Sequence, residues 1–303
     1  MKQRYISKSL CVCLGIAVLL ISGSSLAAEK KNPWAGVGDM EWGSIGTNGT
    51  GTSVKMLLNK DNGMVDDVIV GLWLVKVDPG GEYTVTVVPK EDRVFFVAAG
   101  QGSFTLADQQ IDAKPGDAFS APAGVKHGIK NSGKEPVELV VFSANVQEAN
   151  PQSKPVWGRA DDMEWAPNEL HGVGCSAKMI IDRGSSAIFR GLWLMLVKPG
   201  GVNYVHSDAE HQMFFVWKSP KANTTARDSR THAARWIMGD KIMQTKDGGA
   251  FYAAMNNPHG SINESNTEEL IYIGVGAVIP RQRGAGEGSQ PGRGAARRGN
   301  TGQ

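Results

Sequence analysis

The architecture of this chain follows from a segment that occurs twice, Gly71-Leu72-Trp73-Leu74-Val75-Lys76-Val77-Asp78-Pro79-Gly80-Gly81 and Gly191-Leu192-Trp193-Leu194-Met195-Leu196-Val197-Lys198-Pro199-Gly200-Gly201. The second copy begins 120 positions after the first (191 − 71). Each copy is a run of large apolar residues typical of a strand, and each ends in a Pro-Gly-Gly turn signal. A repeat at this distance predicts two copies of one structural unit.

Further matches extend the repeat in both directions. Upstream, Asp39-Met40-Glu41-Trp42 returns as Asp162-Met163-Glu164-Trp165, and downstream Phe95-Phe96-Val97 returns as Phe214-Phe215-Val216. The offset falls from 123 (162 − 39) to 119 (214 − 95), so we expect small deletions in turns. Because chance does not produce this order of matches, the repeated unit is expected to fill most of each half.

Short apolar segments between Gly, Pro, Asn and Asp turns predict an all-β protein. The predicted strands in the first copy are 68–77, 82–88, 94–98, 103–106 and 137–143. No long helical period is present, so a parallel sheet with crossover helices is excluded. Strands spaced about ten residues apart favour an antiparallel sandwich or barrel in each half.

The repeat and the composition together predict four regions. Residues 1–28 have a basic start, an apolar run from Leu10 to Ile21 and small residues up to Ala28, which is typical of a secretory signal peptide. The apolar run is shorter than the roughly 20 residues of a membrane span. The domains are expected at 29–150 and 151–280. The Gly- and Arg-rich residues 281–303 lack large apolar side chains, so a disordered tail is expected.

Charge and cysteine content narrow the function classes. The formal net charge is +2, which gives no reason to expect a nucleic-acid surface on the folded part. Cleavage after the leader would remove Cys11 and Cys13 and leave only Cys175, so no internal disulfide is expected. We expect a periplasmic or secreted protein, without a stable membrane anchor, whose partner is a small molecule.

One motif is specific enough to indicate a family. The spacing G-x5-P-x-G-x2-H-x3-N is present at Gly116, Pro122, Gly124, His127 and Asn131. It resembles the second conserved motif of the cupin superfamily. The second copy, displaced by 132, has Gly248, Ala254, Asn256, His259 and Asn263, which keep the histidine and asparagine. The chain therefore resembles a bicupin over residues 34–280, and the resemblance implies two tandem double-stranded β-helix (jelly-roll) barrels.

The resemblance also implies a metal site in the second barrel. In cupins a first motif supplies two histidines and a glutamate that join the later histidine around one metal. Aligning the paired phenylalanines puts His206 and Asp208 at the histidine positions and Gln212 at the glutamate, with His259 closing the set. Strand alternation adds Glu210 as a further candidate and turns His211 away.

These candidates would bind a divalent metal ion. Two imidazoles with one carboxylate suit iron(II) with open positions, although the residues do not distinguish Fe, Mn, Zn, Ni and Cu. In the first copy the corresponding positions fall on Val87, Pro89 and Arg93, so His127 stands alone and no metal is expected there. His171 and His232 are expected to be surface histidines.

The second copy also carries a basic insertion at 217–235, which accounts for the 13 extra residues (132 − 119). It is either a lid over the barrel mouth that contacts an anionic substrate or a tolerated surface loop.

Two functions remain open from the sequence. The first is an exported bicupin enzyme with its site in the C-terminal barrel, for which the resemblance implies dioxygenase, decarboxylase or isomerase chemistry. The alternative is a non-catalytic bicupin that binds a small molecule or serves as a sensor or assembly module. Monomer and homodimer are equally compatible with the repeat.

Overall fold

The computed structural model describes residues 34–35, 40–44, 49–62, 68–147, 151–182, 184–221 and 233–278. The predicted signal peptide and tail lie outside the described residues, as do His232 and residues 222–232 of the insertion. Within these ranges the helices are two 3-10 turns, Lys60–Asn62 and Ala160–Asp162. No helix of the described part is long and apolar enough to cross a membrane. The all-β prediction is confirmed.

The first sheet is antiparallel and contains nine strands. Its strands are β2 (Gly49–Leu58), β3 (Ile69–Val87), β4 (Glu91–Ala99), β5 (Gly102–Leu106), β6 (Gln109–Ala113), β7 (Asp117–Ala121), β8 (Lys126–Lys130), β9 (Val137–Asn145) and β10 (Val156–Arg159). They follow the order β10-β7-β4-β9-β3-β8-β5-β6, with β2 paired to β3.

The second sheet contains ten strands in the corresponding order. Its strands are β1 (Trp34–Ala35), β11 (Ala166–Pro167), β12 (Gly172–Ile181), β13 (Phe189–His206), β14 (His211–Lys218), β15 (Ala234–Met238), β16 (Lys241–Gln244), β17 (Ala250–Ala253), β18 (His259–Asn263) and β19 (Leu270–Ala277). The order is β1-β17-β14-β19-β13-β18-β15-β16, with β11 and β12 beside β13. Each sheet curls into a barrel, and the two barrels repeat one topology.

The two halves exchange their leading strands. Trp34, in the first half of the chain, pairs with Phe251 of the second sheet. Trp157, its counterpart in the repeat, pairs with Phe119 of the first sheet. Backbone hydrogen bonds therefore join each half to the sheet of the other, a feature that the repeat alone did not indicate.

The repeated Gly-Leu-Trp-Leu segment lies in the longest strand of each barrel. Sequence analysis predicted two strands separated by a turn at Pro79-Gly80-Gly81, but β3 continues through it. Gly80 has φ of 76°, which bends the strand without ending it. Residues before the bend pair with β9 and residues after it pair with β8, so one strand crosses from one side of the barrel to the other.

A buried asparagine fastens this bend in each barrel. Asn131 donates from Nδ2 to the carbonyl oxygens of Val77 and Glu135, both at 2.9 Å, and accepts from the Gly133 N–H at Oδ1. Asn263 makes the same three bonds in the second barrel, to Val197, Glu268 and Ser265. Both asparagines are fully buried, so these amides satisfy backbone groups that water cannot reach.

Strand alternation divides the apolar residues between three cores. Leu72 and Leu74 belong to a core formed by residues of both sheets, where Leu192 and Leu194 are also buried. Trp73, between the two leucines, faces the interior of the first barrel. The inner strands are therefore buried on both faces, which explains why the Gly-Leu-Trp-Leu segment is apolar throughout.

The interior of the first barrel holds an ion pair in place of metal ligands. Arg93 donates from Nε and Nη2 to Glu91 Oε2, at 3.0 and 2.8 Å, and from Nη1 to the Tyr83 hydroxyl at 3.0 Å. Ser143 donates from Oγ to the same Glu91 oxygen at 2.8 Å. The polar groups of these four side chains therefore satisfy one another's hydrogen bonds within this barrel.

The register corrects one alignment made from the sequence. The position expected to correspond to His206 was Val87, but the residue opposite His127 is Thr86, whereas Val87 pairs with Lys126 and is half exposed. Thr86 and His206 are 120 positions apart (206 − 86), whereas Glu91 and Glu210 are 119 apart (210 − 91), so the one-residue deletion lies after residue 86 and was missed in the sequence alignment. Threonine at this position still leaves His127 without a second imidazole in the first barrel.

Replacing Asn131 is expected to destabilise the protein. The Asn131→Ala variant removes three hydrogen bonds and leaves buried backbone groups unsatisfied, so we expect a loss of about 2 to 4 kcal/mol in the free energy of unfolding. Urea denaturation measures it, with Gln109→Ala at an exposed strand position as the control. A loss no larger than that of the control would contradict the role of this amide.

His127 is expected to make stability depend on pH. Burial lowers the pKa of His127 from 6.5 to about 4. Between about pH 6.5 and pH 4, His127 is protonated in the unfolded chain but neutral in the folded chain. The free energy of unfolding therefore falls by about 3 kcal/mol as the pH drops through this range. Urea denaturation across this range should show a correspondingly smaller fall for His127→Gln, and equal falls in both proteins would refute the assignment.

Candidate functional site

Two histidines that are distant in sequence lie side by side in the second barrel. His206 ends β13 and His259 begins β18, and the two residues are direct partners in the antiparallel ladder. Their ring centroids are 4.6 Å apart. His259 is buried at the base of the site, and His206 is partly exposed.

A carboxylate completes a cluster with these two rings. Asp208 Oδ2 lies 3.4 Å from Nε2 of His206 and 3.4 Å from Nε2 of His259. One ligand atom from each of the three residues falls within 4.8 Å of the others, a spacing that a single metal ion can bridge. The Asn256 N–H donates to the Asp208 carbonyl oxygen at 2.8 Å, which anchors the turn that carries the carboxylate.

Backbone carbonyls orient both rings. His206 Nδ1 lies 2.7 Å from the Tyr204 oxygen, and His259 Nδ1 lies 3.0 Å from the Asn257 oxygen. A carbonyl only accepts, so each Nδ1 carries the proton and each Nε2 presents a lone pair. Metal-binding histidines are commonly held in this way.

The electrostatics of the cluster fit a cation. Burial, with a smaller contribution from His206, lowers the pKa of His259 below its ordinary value and favours the neutral, ligating form. Within the part of the chain that the structure describes, Asp208 Oδ2 and His259 Nε2 are buried without hydrogen-bond partners. Leaving such atoms unsatisfied is costly, and a divalent ion between them would satisfy both.

The other two predicted ligands lie in the same pocket. Glu210 and Gln212 line it beside His206, Asp208 and His259. Among the His, Cys, Asp and Glu residues of the described ranges, one possible metal position is shared by atoms of His206, Asp208 and His259, and Glu210 lies outside this group. His211 faces away, as alternation predicted, and its Nδ1 lies 2.6 Å from the Tyr252 hydroxyl.

A pocket of about 240 Å³ opens from the cluster. Its apolar wall consists of Ala177, Met179, Trp193, Met195, Phe214 and Tyr272. Its remaining polar lining consists of Asn168, His171, Arg190 and Asn203. Trp193 therefore differs from its counterpart Trp73, which is buried in the core of the first barrel.

The expectation that His171 is a surface histidine is wrong. Its ring packs edge-on against His206 with centroids 5.0 Å apart, and its Nδ1 lies 2.8 Å from Asn168 Oδ1. Gly172 begins β12, which pairs with β13 at Asn203, so this pairing brings the preceding residue to the pocket. No motif in the sequence places His171 beside the other histidines, because β12 lies far from them along the chain.

Comparison with known proteins agrees with this architecture. Residues 73–143 match the cupin domain family. No curated protein sequence matches the chain significantly.

Solved structures share the fold over most of the chain. A protein named as glyoxylate-induced from Pseudomonas aeruginosa is 13% identical with a TM-score of 0.63, covering 80% of this chain and 86% of that one. A mutant of Bacillus subtilis oxalate decarboxylase is 14% identical with a TM-score of 0.61, covering 81% of this chain and 77% of that one. Residues 73–143 thus match the cupin domain family, and the chain as a whole has the fold of two tandem cupin barrels.

Proposed function

We propose that this bicupin is a metal-dependent enzyme that acts on a small molecule in its second barrel. His206, Asp208 and His259 would hold one divalent metal ion. The observation that carries the proposal is the pair of unpartnered, buried atoms, Asp208 Oδ2 and His259 Nε2, 3.4 Å apart. The neighbouring pocket supplies the space for a substrate.

Three protein ligands would leave positions open on the metal. Structural metal sites are usually closed by protein ligands, whereas catalytic sites keep a position for water or substrate. A metal ion in this site would act as a Lewis acid toward a substrate oxygen or bind dioxygen beside it. This arrangement is compatible with the dioxygenase, decarboxylase and isomerase chemistries implied by the family resemblance.

The protein side chains of the pocket would bind and orient the substrate. Trp193 and Phe214 form an apolar wall, and Arg190 contributes hydrogen-bond donors. Asn203 donates from Nδ2 to the Tyr272 hydroxyl and would offer its buried Oδ1 as an acceptor. The structural relatives support a small polar substrate, since their names refer to oxalate and glyoxylate. One solved structure of Bacillus subtilis oxalate decarboxylase is described by its Mn(II) centres, which makes Mn²⁺ a suitable first metal for testing.

The site predicts one metal ion per chain. Purified wild-type protein titrated with Mn²⁺ or Zn²⁺ should bind one equivalent, and His206→Ala, His259→Ala and Asp208→Ala should each weaken binding at least about 100-fold, because each removes a direct ligand. Calorimetry and metal analysis measure the effect.

His127→Gln is the matched control, since it changes the corresponding histidine of the first barrel. This variant should bind one equivalent with unchanged affinity. Thermal unfolding of the metal-free variants separates loss of a ligand from loss of the fold. Wild-type protein without metal affinity, or a cluster variant with full affinity, would refute the proposed site.

Export is part of the same proposal and is supported by the composition of residues 1–28. Expression in a Gram-negative host should yield periplasmic protein that begins after Ala27 or Ala28, as measured by intact mass. A charge in the apolar run, as in Leu19→Arg, should retain the full-length chain in the cytoplasm. Full-length wild-type protein in the cytoplasm would contradict export.

A further inference from the structure

The two barrels carry the same glutamate in different surroundings. Glu91 of the first barrel corresponds to Glu210 of the second (210 − 91 = 119). Glu91 is held by the guanidinium of Arg93 and the hydroxyl of Ser143. At the corresponding positions the second barrel has Gln212 and Gly276, so both partners of the glutamate have been replaced.

Glu210 consequently has no cationic ion-pair partner among the described residues. Among the described residues no Lys, Arg or His nitrogen lies within ion-pair distance of it, and its polar contact is Gln212 Nε2 at 3.5 Å. A Cβ atom added at Gly276 would collide with Glu210 Oε1. The carboxylate of Glu210 can therefore lie over β19 because Gly276 has no side chain.

An unpaired cation lines the same pocket. Arg190 has no ion-pair partner among the described residues, and it is the one arginine or lysine of the pocket lining. It lies on β13 beside Gly191, and Gly276 of β19 lies between Gly191 and Gln212. Because neighbouring strands are about 4.8 Å apart, Gly191 and Gln212 stand about two strand spacings apart, on either side of Gly276. Arg190 precedes Gly191 and Glu210 lies two residues before Gln212, so the two charged residues are on opposite sides of β19.

Charge and volume restrict the ligand that would fill this gap. A divalent ion with Asp208, Glu210 and Arg190 carries a net charge of about +1, which favours a ligand that carries a carboxylate. A free carboxylate such as that of Glu210 can only accept hydrogen bonds, so it requires a ligand with a donor. The 240 Å³ of the pocket is the volume of roughly eight water molecules, enough for a small acid.

We propose that Glu210 determines the specificity of the second barrel for a small carboxylate with a hydroxyl or ammonium group on the neighbouring carbon. The ligand carboxylate would face Arg190, and the neighbouring hydroxyl or ammonium group would donate to Glu210. Glu210 is thus a substrate-binding residue and not a metal ligand. This inference rests on the proposed metal site.

Matched ligands and variants test the inference in Mn²⁺-loaded protein. Lactate, alanine and 2-methoxypropionate share one carbon skeleton, but the methyl ether lacks the donor. Calorimetry should show that lactate or alanine binds the wild type about tenfold or more tightly than the ether, because a hydrogen bond to a charged group is lost with the donor. Lactate and alanine separate a hydroxyl from an ammonium donor.

Glu210→Leu should bind one equivalent of Mn²⁺ and should lose this preference, and Glu210→Gln should keep part of it. Glu269→Leu is the matched control, since Glu269 is exposed at the opposite end of β19 from Gly276, and it should retain the full preference.

Several results would overturn the inference. Loss of Mn²⁺ from Glu210→Leu would make Glu210 a metal ligand. Equal affinities of the three ligands for the wild type, a preference that survives in Glu210→Leu, or no binding of any of the three would remove the specificity role. If the wild type binds no metal, the proposed metal site is refuted as well. The other results would not contradict the metal site.

Discussion

The geometry of the site depends on a buried amide four residues beyond His259. Asn263 connects the bend of β13 to the turn that follows β18, because its amide bonds the carbonyls of Val197 and Glu268. This connection holds β13 and β18 in one register, and that register places His206 opposite His259. Without it the two strands could slide, and a shift of one residue would turn one imidazole away from the other.

The same amide in the first barrel supports a different interior. There the bend and register are retained, but Thr86 stands opposite His127 and the Arg93–Glu91 ion pair lies within the barrel. A cationic side chain and a metal ion are alternative ways to balance a carboxylate in a low-dielectric interior. The scaffold is thus independent of the charge arrangement inside it, and the two barrels differ in the few side chains that face inward.

A glycine in place of a serine contributes to the difference between the two barrels. Ser143 faces Glu91 from β9, whereas Gly276 on β19 leaves space for the carboxylate of Glu210. Together with Gln212 in place of Arg93, this substitution leaves a negative group facing the pocket. The pocket of the second barrel therefore combines an apolar wall with charges of both signs, Glu210 and Arg190, that have no ion-pair partner among the described residues, an arrangement suited to a small polar ligand.

The repeat and the all-β class could be predicted from the amino-acid sequence itself, because strand alternation and repeat spacing are local properties of the chain, whereas the grouping of His206, Asp208 and His259 was implied by the resemblance to the cupin family. Other features emerged only from the folded chain: Trp34 and Trp157 join the opposite sheets, Thr86 pairs with His127, and His171 and Arg190 reach the pocket. These features depend on contacts between strands that are far apart in sequence. Periodicity specifies which face of a strand is buried, but not which distant strand lies beside it.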